Sequence, residues 1–367
     1  MAGFFLIQQG HRMSQRSTKK HLRTDECPKK HAAVEYFDVP VHTSDARSVN
    51  DAALVQDSAA IDYDHCVVMT PTKQVTGKRK LVVFFHGSGE PVNKNSWDGL
   101  YKSMPQFFAA CGYVVCASNG LPETFAANNN LSYPRPVGNY MWIESACKMV
   151  EKVCREWDCD RNEIYVYGES QGGMGALNFI ECGAIPVKAC VVDSPAISML
   201  YSQLNIPKAH VNLKFFYGFD TVKEYSAEKV YGLDPFARNC TKIENKADYT
   251  LANGWYLSST ELNKCTSKRI TKCPVKFFLG SEDTTTPAFA SQLVYKQLKN
   301  AGQLTACELY IGVGHCVDQN SKVIGTFSYR ENTHRITKAT VDMALWWARF
   351  GGYDELPTIT PLSSGLG

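Results

Sequence analysis

The sequence predicts an α/β protein with a mainly parallel central sheet and helices on both of its faces. Three observations predict it. Continuous apolar runs such as "KLVVFF", "YVVC" and "CVVD" stop at glycine or at polar residues, the mark of strands buried on both faces. From Lys80 onward, segments of helical period separate these runs. The chain has 367 residues, 44% of them hydrophobic, which is enough to cover such a sheet and excludes global disorder.

Two extended segments come first, "AVEYFDVPV" (Ala33–Val41) and "IDYDHCVVMTP" (Ile61–Pro71). "KLVVFFHGSGE" (Lys80–Glu90) is the first strand buried on both faces. "SWDGLYKSMPQFFAACG" places Trp97, Leu100, Met104 and Phe107–Phe108 at helical spacing and ends at Gly112. "YVVCASNG" is a second buried strand, and "NYMWIESACKMVEKVCREW" a helix with Trp142, Ile143, Ala146, Val150 and Val153 on one face. Strand "EIYVYG" runs into helix "QGGMGALNFIECG". "VKACVVDSP" and "CPVKFFLGSEDTTTP" are further strands, "AFASQLVYKQLKNAG" a helix ended by Gly302, and "ACELYIGVGH" the last strand. "TKATVDMALWWARFGG" is the closing helix, with His334 at its start. Right-handed crossovers then bring the C-terminal ends of the strands to one rim, where functional loops gather.

Three segments stand outside this alternation. Residues 1–32 are a basic extension, residues 353–367 a C-terminal tail, and the domain proper is 33–352. Within it, 198–272 is aromatic-rich and has no buried-strand run. An insertion that long reads as a cap over the reactive rim.

The formal charge of +3 is small, and much of the excess lies in the basic extension. No basic stripe runs through the folded part, which argues against nucleic acid as a partner. No apolar run approaches the roughly 18 residues of a membrane span. The opening "MAGFFLIQQG" lacks the charged lead and the apolar length of a secretory signal, so a cytoplasmic location is expected. Fourteen cysteines include no Cys-x-x-Cys and no zinc-finger spacing with histidine. Many lie in apolar runs and read as reduced core thiols. Cys265 and Cys273 would form a bridge in an exported protein.

Gly168-Glu169-Ser170-Gln171-Gly172 fits Gly-x-Ser-x-Gly at a strand-to-helix junction, the context in which a serine is held clear of the backbone. A hydroxyl needs a base, and His315 follows a buried strand at the reactive rim. The base needs a carboxylate to fix its tautomer. Asp283 is preferred, because the residues after it turn toward Pro287. Asp193, at the end of "CVVD", and Glu282 are further candidates. The developing oxyanion needs N–H donors. Gln171 supplies one, and Gly87 or Ser88 in His86-Gly87-Ser88-Gly89 the other, with His86 bracing that loop. His86, Glu169, Trp97 and the cap residue Trp255 are candidates for the substrate pocket.

Taken together, "HGSG", "GESQGG", "SEDTTTP" and "GVGH" occur in the order nucleophile, acid, histidine and resemble the α/β-hydrolase family. Within it, "DRNEIYVYGESQGGMGA" is similar to esterases of the polyhydroxybutyrate-depolymerase and feruloyl or acetyl-xylan kind, and to prolyl-oligopeptidase-related hydrolases. The resemblance implies an α/β-hydrolase fold and hydrolysis of carboxylic esters through an acyl-enzyme. It implies a small-molecule or saccharide ester as substrate, and neither a metal nor an organic cofactor. A peptidase is the first alternative, although peptidases of this type carry an N-terminal propeller and the segment before Lys80 is too short for one. A hydrolase-fold binding protein without chemistry is the second. The oligomeric state is not legible.

Overall fold

In β3 (Arg79–Phe85) the side chains alternate between two cores, Leu81, Val83 and Phe85 facing one and Val82 and Phe84 the other. That alternation follows from the two-residue period of a strand, and both faces are apolar because both are covered. The computed structural model describes residues 33–43, 61–73, 75–93, 103–197, 211–212, 273–300 and 302–362. Eight strands form the main sheet in the order β1-β2-β4-β3-β5-β6-β7-β8. β4 (Val114–Ser118), β3, β5 (Cys159–Glu169), β6 (Ala189–Asp193), β7 (Val275–Gly280) and β8 (Thr305–Tyr310) run parallel. β1 (Val34–His42) and β2 (Ile61–Met69) add antiparallel at the β4 edge.

α1 (Ser103–Cys111) and α7 (Lys338–Ala348) cover one face through Phe107, Phe108, Met343 and Trp347. α3 (Tyr140–Glu156), α4 (Gln171–Cys182) and α5 (Ala288–Asn300) cover the other through Trp142, Val153, Leu177, Val294 and Leu298. α3 begins where the Asn139 side chain accepts from Trp142 N at 3.1 Å, a cap for an otherwise unpaired amide. The short helices α2 (Glu123–Asn128) and α6 (Val317–Asn320) lie in the loops after β4 and β8.

β3 and β5 are neighbours although β4 lies between them in sequence, so the strand order reverses there. Chains leaving the C-terminal ends of β3 and β5 diverge and open a crevice, the usual ligand position in such sheets. The "HGSG" and "GESQGG" segments therefore meet.

Two features differ from the sequence expectation. Before α7, β9 (Val323–Tyr329) and β10 (Asn332–Thr337) form an antiparallel hairpin. His334 lies in β10 and does not open the last helix; it is buried and stacked on Phe327 with ring centroids 5.3 Å apart. The segment after Gly352 is also tied in: Tyr353 N donates to Tyr113 Oη at 2.8 Å, and β11 (Thr360–Pro361) pairs with β9. Among the described residues no helix is long and apolar enough to cross a membrane.

Candidate active site

Ser170 stands between the last residue of β5 and the first of α4 and takes φ 53° and ψ −121°. Side-chain-bearing residues rarely adopt that backbone, and it persists only where the surroundings enforce it. Here the enforcement is steric. A Cβ on Gly172 would lie 2.1 Å from Phe85 O, and one on Gly168 would lie 2.3 Å from Gly172 O. Only glycine lets α4 start this close to β3. Ser170 N donates to Asp193 O at 2.9 Å, and Ser170 O accepts from Ala196 N at 2.7 Å.

The loop after β8 brings His315 to this serine. Ser170 Oγ lies 2.9 Å from His315 Nε2, and His315 Nδ1 lies 2.8 Å from Asp283 Oδ2. Asp283 Oδ1 accepts from Thr285 N and Thr286 N, both at 2.8 Å, the turn that an Asp side chain makes with the following backbone. Thr286 Oγ1 is 2.8 Å from Asp283 Oδ2, 2.8 Å from Ser194 O and 3.0 Å from His315 Nδ1. Burial pushes the Asp283 carboxyl up. The hydrogen bond and charge of His315, joined by the Thr286 bonds, outweigh it and hold the group below its ordinary value. Asp283 thus faces the imidazole as an anion. Glu282 is exposed, with its N–H on Val313 O at 2.9 Å.

Asp193 does a different job. Its Oδ1 accepts from Val317 N at 2.9 Å and its Oδ2 from Asp318 N at 2.8 Å, while Ser194 Oγ accepts from Cys316 N at 3.1 Å. Three consecutive amides after His315 are thereby fixed to the end of β6. Burial raises the Asp193 carboxyl above its ordinary value, against the hydrogen bonds from Asp318 and Val317. Ser194 and Cys316 share the positive φ of Ser170, at 44° and 60°, so three strained backbones are joined around the site.

On the other side of the crevice, His86 is fully buried. Its Nδ1 is 2.8 Å from Gly87 O, its Nε2 3.2 Å from Asn119 O, and its ring packs on Trp142. Both nitrogens face backbone carbonyls, so His86 braces the loop and does not present itself to a substrate. Gln171 Nε2 donates to Gly87 O at 3.3 Å and ties the loop to α4. The Gln171 N–H is among the first-turn amides of α4 that have no intrahelical acceptor. Gly87 N donates to Glu90 Oε2 at 2.9 Å, so its role as an oxyanion donor competes with a carboxylate. Glu169 is buried, with Tyr167 Oη donating to its Oε2 at 3.4 Å and its Oε1 2.8 Å from where a Gly87 Cβ would stand. It lies against the loop after β3.

Trp97, Trp255 and Cys265 lie outside the described residues, as does nearly all of the proposed cap. Cys273 is a buried thiol that donates to Pro274 O at 3.5 Å. Three contributors lie beyond the sequence expectation: Thr286, Glu90 and the clamp role of Asp193. Thr286 carried a readable signal, since Asp followed by Thr two and three residues later is the composition of an Asx turn.

No family model matches the chain, and no curated protein matches it. Solved structures do. A puromycin-hydrolyzing peptidase from Mycobacterium tuberculosis superposes with TM-score 0.53 at 16% identity, over 82% of this chain and 40% of that one. An acylaminoacyl peptidase in complex with Z-Gly-Gly-Phe-chloromethyl ketone gives 0.52 at 18% identity, over 90% of this chain and 44% of that one. The esterase Est2 from Thermogutta terrifontis gives 0.47 at 14% identity, over 82% and 90%. The chain therefore spans less than half the length of the two peptidases. What the likeness shows is architecture: this protein has the α/β-hydrolase fold.

Proposed function

We propose that the protein is a serine hydrolase that cleaves carboxylic esters through an acyl-enzyme. The observation that carries this reading is the line Ser170 Oγ, His315 Nε2, His315 Nδ1, Asp283 Oδ2, with contacts of 2.9 and 2.8 Å at its two ends. His315 takes the Ser170 proton as the oxygen attacks the carbonyl carbon. Asp283, held ionised, keeps Nδ1 protonated and stabilises the imidazolium. The oxyanion forms beside the Gln171 N–H at the start of α4 and the Ser88 N–H of the loop after β3. Imidazolium then protonates the leaving alcohol, and water repeats the sequence in reverse to release the acid.

Residues 198–272 act in this reading as the cap that selects the acyl or alcohol part. A small-molecule or saccharide ester is the substrate, and the buried thiols suit a reducing, cytoplasmic setting. A second reading, peptide hydrolysis, is favoured by the names of the two peptidases above. The triad geometry serves both.

The test is turnover of 4-nitrophenyl acetate by wild type and Ser170→Ala. The variant keeps the wild-type circular dichroism spectrum and loses turnover, and a fluorophosphonate probe labels only the wild type. Turnover by the variant at the wild-type rate defeats the reading. A panel of peptide 4-nitroanilides separates esterase from peptidase.

A further inference from the structure

Arg135 lies in the loop between α2 and α3, in "SYPRPVGN", and reaches the loop after β3. Its guanidinium donates to Ser88 Oγ, and its Nη2 lies 3.4 Å from where a Gly89 Cβ would stand. It therefore sits on the loop that supplies the Ser88 N–H. Among the described residues no carboxylate lies within ion-pair distance of it. Glu90, the acid nearest in sequence to Ser88, is turned onto Gly87 N. Partial burial withdraws water from the guanidinium, which lowers its pKa from the ordinary value. A guanidinium that has lost part of its hydration and has only a neutral hydroxyl in exchange is an unmatched charge.

The backbone that carries it is held at several polar groups. Ser132 N donates to Asn212 Oδ1 at 2.8 Å, and Asn212 Nδ2 donates to Ser132 O at 2.8 Å and to Arg135 O at 2.7 Å. Gly89 N donates to Pro134 O at 3.3 Å, and Asn139 Nδ2 to Pro136 O at 2.7 Å. Prolines on both sides of Arg135 restrict φ further. Asn212 is fully buried, so its three bonds fix the loop from within the protein. Such fixation suits a group that must meet a ligand in one geometry.

We propose that Arg135 is a specificity-determining residue that binds a carboxylate on the substrate, so that the preferred substrates are esters carrying a free acid group. A carboxylate fits better than a phosphate. It matches the single charge and the planar fork of one guanidinium, while Glu90 and Glu169 beside Gly87 oppose a dianion. The inference deepens the hydrolase reading and rests on it for the identity of the scissile bond.

The experiment uses matched pairs: 4-nitrophenyl hexanoate against mono-4-nitrophenyl adipate, and 4-nitrophenyl pentanoate against mono-4-nitrophenyl glutarate, each corrected for spontaneous hydrolysis. Within a pair the acyl chains differ only in the terminal acid. The readout is the anionic-to-neutral ratio of kcat/KM. In wild type the ratio exceeds about 10 for one pair, the scale of a charge-assisted contact. Arg135→Gln, which retains a donor for Ser88 Oγ, brings it to about one or below, and Arg135→Lys falls between.

A merely structural role lowers both members of a pair together and leaves the ratio unchanged, which overturns the proposal, as does a wild-type ratio at or below one for both pairs. Calorimetric binding of monomethyl adipate to Ser170→Ala, with and without Arg135→Gln, separates the two levels of inference. Arg135-dependent binding, combined with a wild type that turns over none of the esters, upholds the carboxylate site and defeats the hydrolase reading. Binding that Arg135→Gln leaves intact, or no binding, defeats the site.

Discussion

Asp193 and Asp283 are buried carboxyls at the C-terminal ends of adjacent strands, β6 and β7, and both act on the segment around His315. Asp193 accepts from two backbone amides, Val317 N and Asp318 N. Asp283 accepts from amides on Oδ1 and offers Oδ2 to a titratable ring. Fixed amides make a carboxyl a clamp. A ring that gains and loses a proton makes it part of a reaction. Burial acts on both, yet it wins at Asp193, which is raised, and loses at Asp283, which is lowered, because Asp283 faces the His315 ring while the charge facing Asp193 is the like-signed Glu169.

The largest expected effect tests that division directly. Asp283→Asn leaves the turn in place but presents the wrong partner to His315 Nδ1, and kcat/KM for an activated ester falls by about 10⁴-fold. Thermal unfolding moves little by comparison. A loss of less than about tenfold, within the range of an ordinary hydrogen bond, would move the reactive role away from Asp283.

Next comes a carboxyl whose hydrogen bonds come from a hydroxyl and an amide and not from an imidazole. Asp64 on β2 is fully buried; Ser145 Oγ donates to it at 2.5 Å and Gly120 N at 2.8 Å. Burial, opposed by those bonds, pushes it up from 3.8 to about 6. The folded state then holds a proton that the unfolded chain releases, so stability falls as pH rises from about 4 to about 6 and levels off above. The change amounts to roughly 2–3 kcal/mol. Asp283, lowered by its partner, has the opposite sign: its contribution is present above the ordinary carboxylate value and is lost as pH falls through its folded pKa. Denaturant unfolding of Asp64→Asn at pH 4.5 and 7.5 checks this. The variant gains on wild type at the higher pH, and an equal difference at both removes Asp64 as the origin.

Asp193→Asn keeps one acceptor where two amides need one each. A buried N–H left unsatisfied costs about 1–3 kcal/mol. Because the clamp places the residues after His315, kcat falls as well, by less than in Asp283→Asn. If activity is lost as completely as in Asp283→Asn while unfolding is unchanged, the clamp reading of Asp193 is wrong.

The same pair shows how far a sequence reveals a site. Ser170 and His315 are legible because each stands at the end of an apolar run, beside glycines that mark a tight turn where the strand stops. Both aspartates are legible as candidates because they too follow apolar runs. The choice between them depends on whether a side chain ends level with the sheet or three residues beyond it, and a turn such as Asp283-Thr284-Thr285-Thr286 only hints at that. The parallel strands follow from composition. The β9–β10 hairpin does not, because its turn passes through Arg330 at φ 56° without the Asn-Gly or Gly signal that favours that conformation. Glu90 on Gly87 N and Arg135 on Ser88 Oγ are tertiary contacts between loops, with no period or spacing to announce them.

The smallest expected effect falls on Thr286, where the two carboxyl systems meet. Its Oγ1 touches Asp283 Oδ2, His315 Nδ1 and the carbonyl of Ser194, the residue next to Asp193. Thr286→Val keeps the volume and β-branching and puts a methyl where the hydroxyl was. Asp283 retains the Thr285 and Thr286 amides and His315, so it stays ionised near neutral pH, and kcat falls only by about tenfold, the worth of one hydrogen bond to a charged group. The direction on pH follows from the contributions to Asp283. Removing a hydrogen bond that lowers its pKa lets it rise, so protonation begins at a higher pH on acidification. A kcat/KM profile between pH 3.5 and 6 should therefore lose activity earlier in Thr286→Val than in wild type, with Thr286→Ser restoring the wild-type limb. Superimposable limbs, with only a uniform drop, would mean that the hydroxyl serves the backbone of Ser194 and not the carboxylate, and that the clamp and the reactive pair are separate systems.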